Sequence, residues 1–470
     1  MGVESAKVEE VTAAPVPSES GARPSRPTHC VVGGAHAFIL RISSFFGLAP
    51  LRFESRSNGF TVSISGAMCV YSYILVTVLV LCTIFGLVAE INVGVELSVR
   101  MSSRMSQVVS TCDVLVVVAT AGAGVYGAPR RMRNMLKFME NIASVDTSIG
   151  GQYSLVTERK LCGIILAILI FFSILIADDF TFYALQAKKL DREWDVVTNY
   201  LGFYLLWFVV LILELQFAFT ALSVRARFSA VNDALALTAR QVSIPVEKPK
   251  SSSPLNIYAI RVAPVDSQRS ANVSLLVDTM TGREHVVIIK RTVSLLSASG
   301  EPRLVVSPCD AVRRLAALHG TLCDVVNSID DSYGLPLVVI LISTLLHLIV
   351  TPYFLIMEII VSTNRIHFLV LQFLWCVTHM LRMIVVVEPG HYTIAEGKRT
   401  EGLVCRLMTS APSTGVLPSR LEIFSRQLML QSVSYAPMGM CTLHRPLIAS
   451  VIGAVTTYLV ILIQFQRYDN

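Results

Sequence analysis

The chain has 470 residues, 53% of them hydrophobic and only 15% charged, with a mean hydropathy of +0.62 and a formal net charge of +6. Ordinary soluble proteins carry about 25% charged residues, so a soluble globular class is excluded and a polytopic membrane protein fits. The apolar residues are bunched into seven blocks, each near the roughly 17–25 residues that cross a bilayer as helix.

Residues 1–66 read as a cytoplasmic N-terminal tail. Residues 1–25 are rich in Pro, Ser and Ala with no apolar signal-peptide core, and are expected to be disordered. Four spans follow within 67–222, at 67–88, 108–126, 161–177 and 200–222. A long cytoplasmic connector, 223–334, has helical periodicity at 224–239 and 311–329. Between these lies an aperiodic insert, 242–307, containing KPKSSSP and SASGEPR, which reads as flexible. Two further spans, 335–360 and 367–387, lie within 335–387. A second cytoplasmic connector, 388–446, contains an amphipathic stretch at 420–431. The seventh span, 447–466, lies in the final segment 447–470, which ends in a short external tail.

Orientation follows from the Lys and Arg distribution. With the N-terminus inside, the cytoplasmic segments hold most of the 39 basic residues. The short loop 128–160, with Arg130, Arg131, Arg133 and Lys137 against a helix end, points the same way. The expected fold is therefore an all-α polytopic membrane protein of seven transmembrane helices, N-terminus cytoplasmic and C-terminus extracellular. None of the ten cysteines falls in a proposed external loop, so no external disulfide is expected. The one glycosylation-like sequon, Asn272-Val-Ser, lies on the cytoplasmic side. No HExxH, GxSxG, phosphate loop or metal-ligand spacing occurs, so neither an enzyme nor a cofactor is expected, and no nucleic-acid partner.

Two other membrane classes are disfavoured. A solute transporter could use Asp113 and Glu214 as coupling residues, yet the chain has no internal repeat. A G-protein-coupled receptor conflicts with the charge bias, and the chain contains neither NPxxY nor DRY.

The last span contains TTYLVILIQFQ, residues 456–466. At 100° per residue, Thr457, Ile461 and Gln464 share one helical stripe, and Tyr458 and Phe465 form an adjacent one. A carboxamide turned to lipid leaves its donors and acceptors unpaired, so this side should face protein or water. A hydrogen-bonded helix-packing face and a pore lining both satisfy that requirement.

The pattern Thr457-Tyr458, five apolar residues, Gln464-Phe465, close to the C-terminus of a seven-helix chain, resembles the signature of the insect gustatory receptors. Glu422-Ile423-Phe424, Gln427-Leu428 and PMGMCTL at 437–443 extend the resemblance upstream. It implies a ligand-gated, non-selective cation channel in the plasma membrane, a homotetramer that can include other gustatory receptor subunits. The seventh helix would line the pore, Phe465 would form an apolar plug and Gln464 a polar ring near the outer mouth.

A ligand pocket is expected among the outer halves of the second to sixth spans. Gln372, Trp375 and His379 stand at i, i+3 and i+7; Thr351, Pro352 and Tyr353 come from the fifth span, Tyr204 and Trp207 from the fourth. Asp113 lies inside the second span, where an ionisable residue is costly unless paired, and Asp178-Asp179 end the third. Aromatic faces with carboxylate, carboxamide and hydroxyl groups suit a sugar. Packing, interfacial anchoring, and snorkelling of Arg382 explain such residues equally well. Gln372, Trp375, His379 and Arg382, with LCDVVNSIDDSYG at 322–334, resemble the fructose-receptor branch, which implies a ketohexose among Thr351, Gln372 and Trp375. Bitter-type members share the tail motif, so a bitter tastant stands as the alternative ligand.

Overall fold

The computed structural model describes residues 30–32, 34–56, 59–94, 98, 104–149, 152–243, 307–361, 366–412 and 415–469. The expected disordered segment 1–25, nearly all of the insert 242–307, and Asn272 lie outside them. The described chain opens with strand β1 (Cys30–Val32), helix α1 (Gly34–Phe45) and a hairpin of β2 (Leu51–Arg56) and β3 (Gly59–Ile64). The three strands form an antiparallel sheet in the order β1-β3-β2. Arg41 of α1 lays its guanidinium 4.0 Å from the Phe60 ring centre. The sequence reading of residues 1–66 as a tail missed these strands, although Leu51 and Phe53 alternate with Arg52 and Glu54, and Phe60, Val62 and Ile64 with Thr61 and Ser63.

Among the described residues nine α-helices follow: α2 (Gly66–Val93), α3 (Arg104–Tyr126), α4 (Ala128–Ile149), α5 (Gln152–Lys188), α6 (Glu193–Ser243), α7 (Pro308–Val361), α8 (Ile366–Ser410), α9 (Leu417–Leu430) and α10 (Arg445–Asp469), with a 3-10 turn at Pro437–Gly439 between the last two. Seven of these, all but α4 and α9, are long and apolar enough to cross a membrane. They contain the seven apolar blocks of the sequence.

Helix α6 is the axle of the bundle. From Phe203 to Phe219 it is apolar except for Tyr204, Glu214 and Gln216, and its side chains there are almost all buried against α2, α5, α7 and α8, as expected of a helix with no solvent-facing side. Close approach by α2 requires glycine at one point: a Cβ on Gly86 would lie 2.2 Å from the Asn199 carbonyl oxygen. Such small residues let membrane helices pack backbone to backbone. Helix α10 is the opposite case, with none of its most apolar stretch buried in the chain.

With 51, 54 and 45 residues, α6, α7 and α8 are each more than twice the roughly 20 residues a span needs. Their surplus length packs with α9 into a second bundle at one end of the molecule. There His319 lies between the rings of Phe228 and Phe424. Asn232 Nδ2 donates to Glu396 Oε2 at 3.0 Å, and Thr400 Oγ1 to Asn232 Oδ1 at 2.7 Å. The periodicity at 224–239 and 311–329 thus falls in the C-terminal part of α6 and the N-terminal part of α7, and that at 420–431 in α9.

At the same end, α4 packs on α7. Of its basic residues Arg131 is fully buried, donating to the carbonyls of Gly124 at 2.8 Å and Leu48 at 3.0 Å while its cation faces the Tyr333 ring. Burial lowers the pKa of this guanidinium, partly offset by Tyr333. Two carbonyl acceptors and an aromatic face explain why a charge is tolerated there.

Candidate functional site

Among the described residues, the densest polar and aromatic cluster lies between α3, α5, α6, α7 and α8. Helix α8 presents Trp375, His379 and Arg382 inward at i, i+4 and i+7, all buried. The Trp375 and His379 rings stack at 5.6 Å, and His379 stacks at 4.7 Å on His347 of α7. Trp207 of α6 closes the side of this stack, 5.7 Å from Trp375 and 4.9 Å from His347.

Three carboxylates anchor the ring cluster. Asp179, near the end of α5, accepts the Tyr204 hydroxyl and, at 3.3 Å, the Trp375 indole N–H. Asp113 of α3 faces His347 Nε2 at 2.5 Å. Glu214 of α6 receives Arg382 through Nη2 at 2.6 Å and Nε at 3.1 Å, while the guanidinium lies 4.5 Å from the Trp207 ring centre. Buried charges persist when paired and fully bonded, and each acid here has a named partner on another helix.

The structure therefore joins Asp113, Tyr204, Trp207, Trp375 and His379 in one connected cluster. Thr351 is buried on α7, one turn beyond His347, and Tyr353 is buried with its ring edge on Phe354. Gln372 is half-buried on the Trp375 stripe. Asp179, which the sequence placed at the end of the third span, Glu214, which it offered only as a coupling residue of a transporter, and His347 prove to be hubs. Glu214 and His347 stood out as ionisable residues inside apolar blocks and Asp179 just beyond one, but their partners lie on other helices. Arg382 does not snorkel to a membrane edge; its ion pair holds it inside.

As packed here, the cluster is closed. The cavity beside it, between α5, α6 and α8 and lined by Phe172, Glu214, Thr378 and Arg382, has a volume of about 10 Å³, room for roughly one water. A ring-sized ligand enters only when the rings repack. Chemically, the cluster offers flat apolar faces edged by carboxylate, phenol, indole and imidazole groups.

The candidate pore residues Thr457, Tyr458, Ile461 and Gln464 are all exposed on α10. Thr457 returns its hydroxyl to the Gly453 carbonyl at 3.0 Å, so it needs no external partner. The side chain of Phe465 lies outside the described residues. Helix α10 touches the rest of the chain through its first half: Leu447, Ile448, Val451 and Val455 pack on Leu348 of α7 and Met383 and Val387 of α8. Glu388 and Arg445 add an ion pair at 2.8 Å. Leu348 and Met383 directly follow the cluster residues His347 and Arg382. No group of three or more His, Cys, Asp or Glu side chains able to hold a metal occurs among the described residues.

The chain is similar to proteins of one kind throughout. The gustatory receptor for sugar taste 43a of Drosophila melanogaster is 29% identical over 441 residues, covering 92% of this chain and 98% of that protein. The structure of the insect olfactory receptor OR5 from Machilis hrabei superposes with a TM-score of 0.59 at 11% identity, covering 92% of this chain and 97% of that one. The same receptor in complex with eugenol gives 0.57 over 91% and 97%; at such identity the likeness shows the fold. The model of the 7tm chemosensory receptor family matches residues 36–468, and the chain belongs to that family.

Proposed function

We propose that this protein is a gustatory receptor that detects a sugar, fructose first among candidates, and acts as a ligand-gated non-selective cation channel. Four copies would sit in the plasma membrane with their N-termini cytoplasmic and α10 lining the pore. The observation that carries the reading is the buried cluster Asp179–Trp375–Tyr204, held by helices of which one, α8, also carries α10. The similarity to a receptor for sugar taste supports a sugar as the ligand.

A polyol would enter by exchanging bonds. Its hydroxyls replace those from Trp375 and Tyr204 to Asp179, and its C–H faces lie on Trp207 and Trp375, with Asp113, Thr351, Tyr353, Gln372 and His379 around it. Making room displaces α7 and α8, on which the first half of α10 rests. Ligand binding opens the pore only so far as it favours the displaced arrangement over the closed one. Gln464 and Phe465, in the second half of α10, would form the gate.

Tryptophan emission tests the binding half of this reading. The chain has three tryptophans; Trp194 is 75% exposed, while Trp207 and Trp375 are in the cluster. In purified Trp194→Phe protein, fructose should change the emission saturably, and Asp179→Asn should abolish the change. Emission insensitive to every sugar in a panel, with a bitter compound shifting it instead, would replace the ligand class and keep the site.

A further inference from the structure

Helix α6 carries one polar stripe through its apolar length. Gln216, Thr220, Ser223 and Arg227 stand at i, i+4, i+7 and i+11 on one face, and all four are buried. Arg227 ends the stripe in a charge network, donating to Asp146 at 2.8 and 3.0 Å and to Glu158 at 3.1 Å. Glu158 also faces His36 Nδ1 of α1 at 3.4 Å, and His36 Nε2 stands 3.3 Å from Ser223 Oγ. Thr220 Oγ1 donates to the Gln216 carbonyl at 2.7 Å. Gln216 breaks this sequence of satisfied groups: it is 1% exposed, yet neither its Oε1 nor its Nε2 has a hydrogen-bond partner.

Burying a carboxamide with donor and acceptor both unmet is strongly unfavourable, and native structures keep few such groups. Gln216 lines a cavity between α1, α4 and α6, with His36, Thr220 and Ser223 on the polar side and Met135 and Met139 on the apolar side. Its free volume is about 10 Å³, roughly one water. The two methionines, unbranched and adaptable, are the side chains that can yield to an alkyl chain.

We propose that this cavity is a hydroxyl-binding site. A hydroxyl can donate to Gln216 Oε1 and accept from Nε2 at once; an anion would leave Oε1 facing a like charge, and an ammonium would do the same to Nε2. The hydroxyl belongs either to a water or to the head of a small amphiphilic alcohol whose chain lies on Met135 and Met139. The site is separate from the Trp375 cluster and independent of what that cluster binds or gates.

The full-length protein, purified in detergent, is labelled with a diazirine-bearing octanol and its adducts mapped by peptide mass spectrometry, in wild type and in Gln216→Met, a change of shape-conserving kind. Adducts on the Met135–Met139 segment, competed by 1-octanol and weaker by about five-fold or more in the variant, establish the alcohol. Absence of those adducts together with a lower Tm in Gln216→Met establishes water, because the variant then loses bonds that the occupied site makes. Absence of adducts with an equal or higher Tm overturns the proposal, since replacing a bare buried carboxamide by an apolar side chain stabilises. Adducts equally strong in both proteins overturn it as well. If Gln216→Met does not accumulate as folded protein, Gln216→Leu, likewise apolar and of similar volume, is read in the same way.

Discussion

The Arg382–Glu214 pair has both side chains at 2% exposure or less, in a setting where an unpaired charge has no solvent to turn to. Removing one partner of such a pair typically costs about 3–5 kcal/mol, whereas replacing both with neutral side chains of similar volume is often tolerated. Arg382→Met or Glu214→Gln alone should therefore sharply lower surface expression and Tm, and the double variant should recover most of both; equal damage in all three would show that the pair is not the stabilising unit. Trp375 makes a different contribution, as one face of the candidate pocket. Trp375→Ala should abolish the sugar response while the protein still reaches the surface, and an unchanged dose dependence would dismiss this pocket. The residue types of the cluster were legible in the sequence, because ionisable and aromatic groups stand out within apolar blocks. Their pairing was not. Asp113 with His347 and Asp179 with Trp375 join residues 234 and 196 positions apart, and no helical period connects them.

The seven spans were legible as elements, since hydropathy over about 20 residues depends only on composition. The continuation of α6 and α7 as helix past their uniform apolar runs was also legible, because amphipathic periodicity resumes where those runs stop. The strands β2 and β3 were legible but went unread: Leu51 and Phe53, and Phe60, Val62 and Ile64, alternate with polar residues, whereas the three residues of β1 carry no such period. Nor did the sequence reveal which half of α10 is held. Its first half rests on α7 and α8, which leaves Tyr458, Ile461 and Gln464 of the second half exposed. The gate proposed there can be tested directly. Phe465→Ala should pass current without ligand, as expected if an apolar ring closes the pore by excluding water; a variant silent at rest that opens normally with sugar would remove Phe465 from the gate.

Across the whole molecule, the closed polar and aromatic cluster and the unburied helix α10 are linked by α7 and α8, which take part in both. In the single chain the apolar surface of α10 stays uncovered by the rest of the protein, and the proposed channel would place it against lipid and neighbouring copies. The central claim is that the chain alone is both sensor and pore. Its most direct test is whole-cell current from cells expressing only this chain, challenged with fructose and a sugar and bitter panel while G-protein signalling is blocked. A rapid inward cation current to fructose that survives the block is the predicted result. No current to any compound, with the protein confirmed at the cell surface, would contradict it.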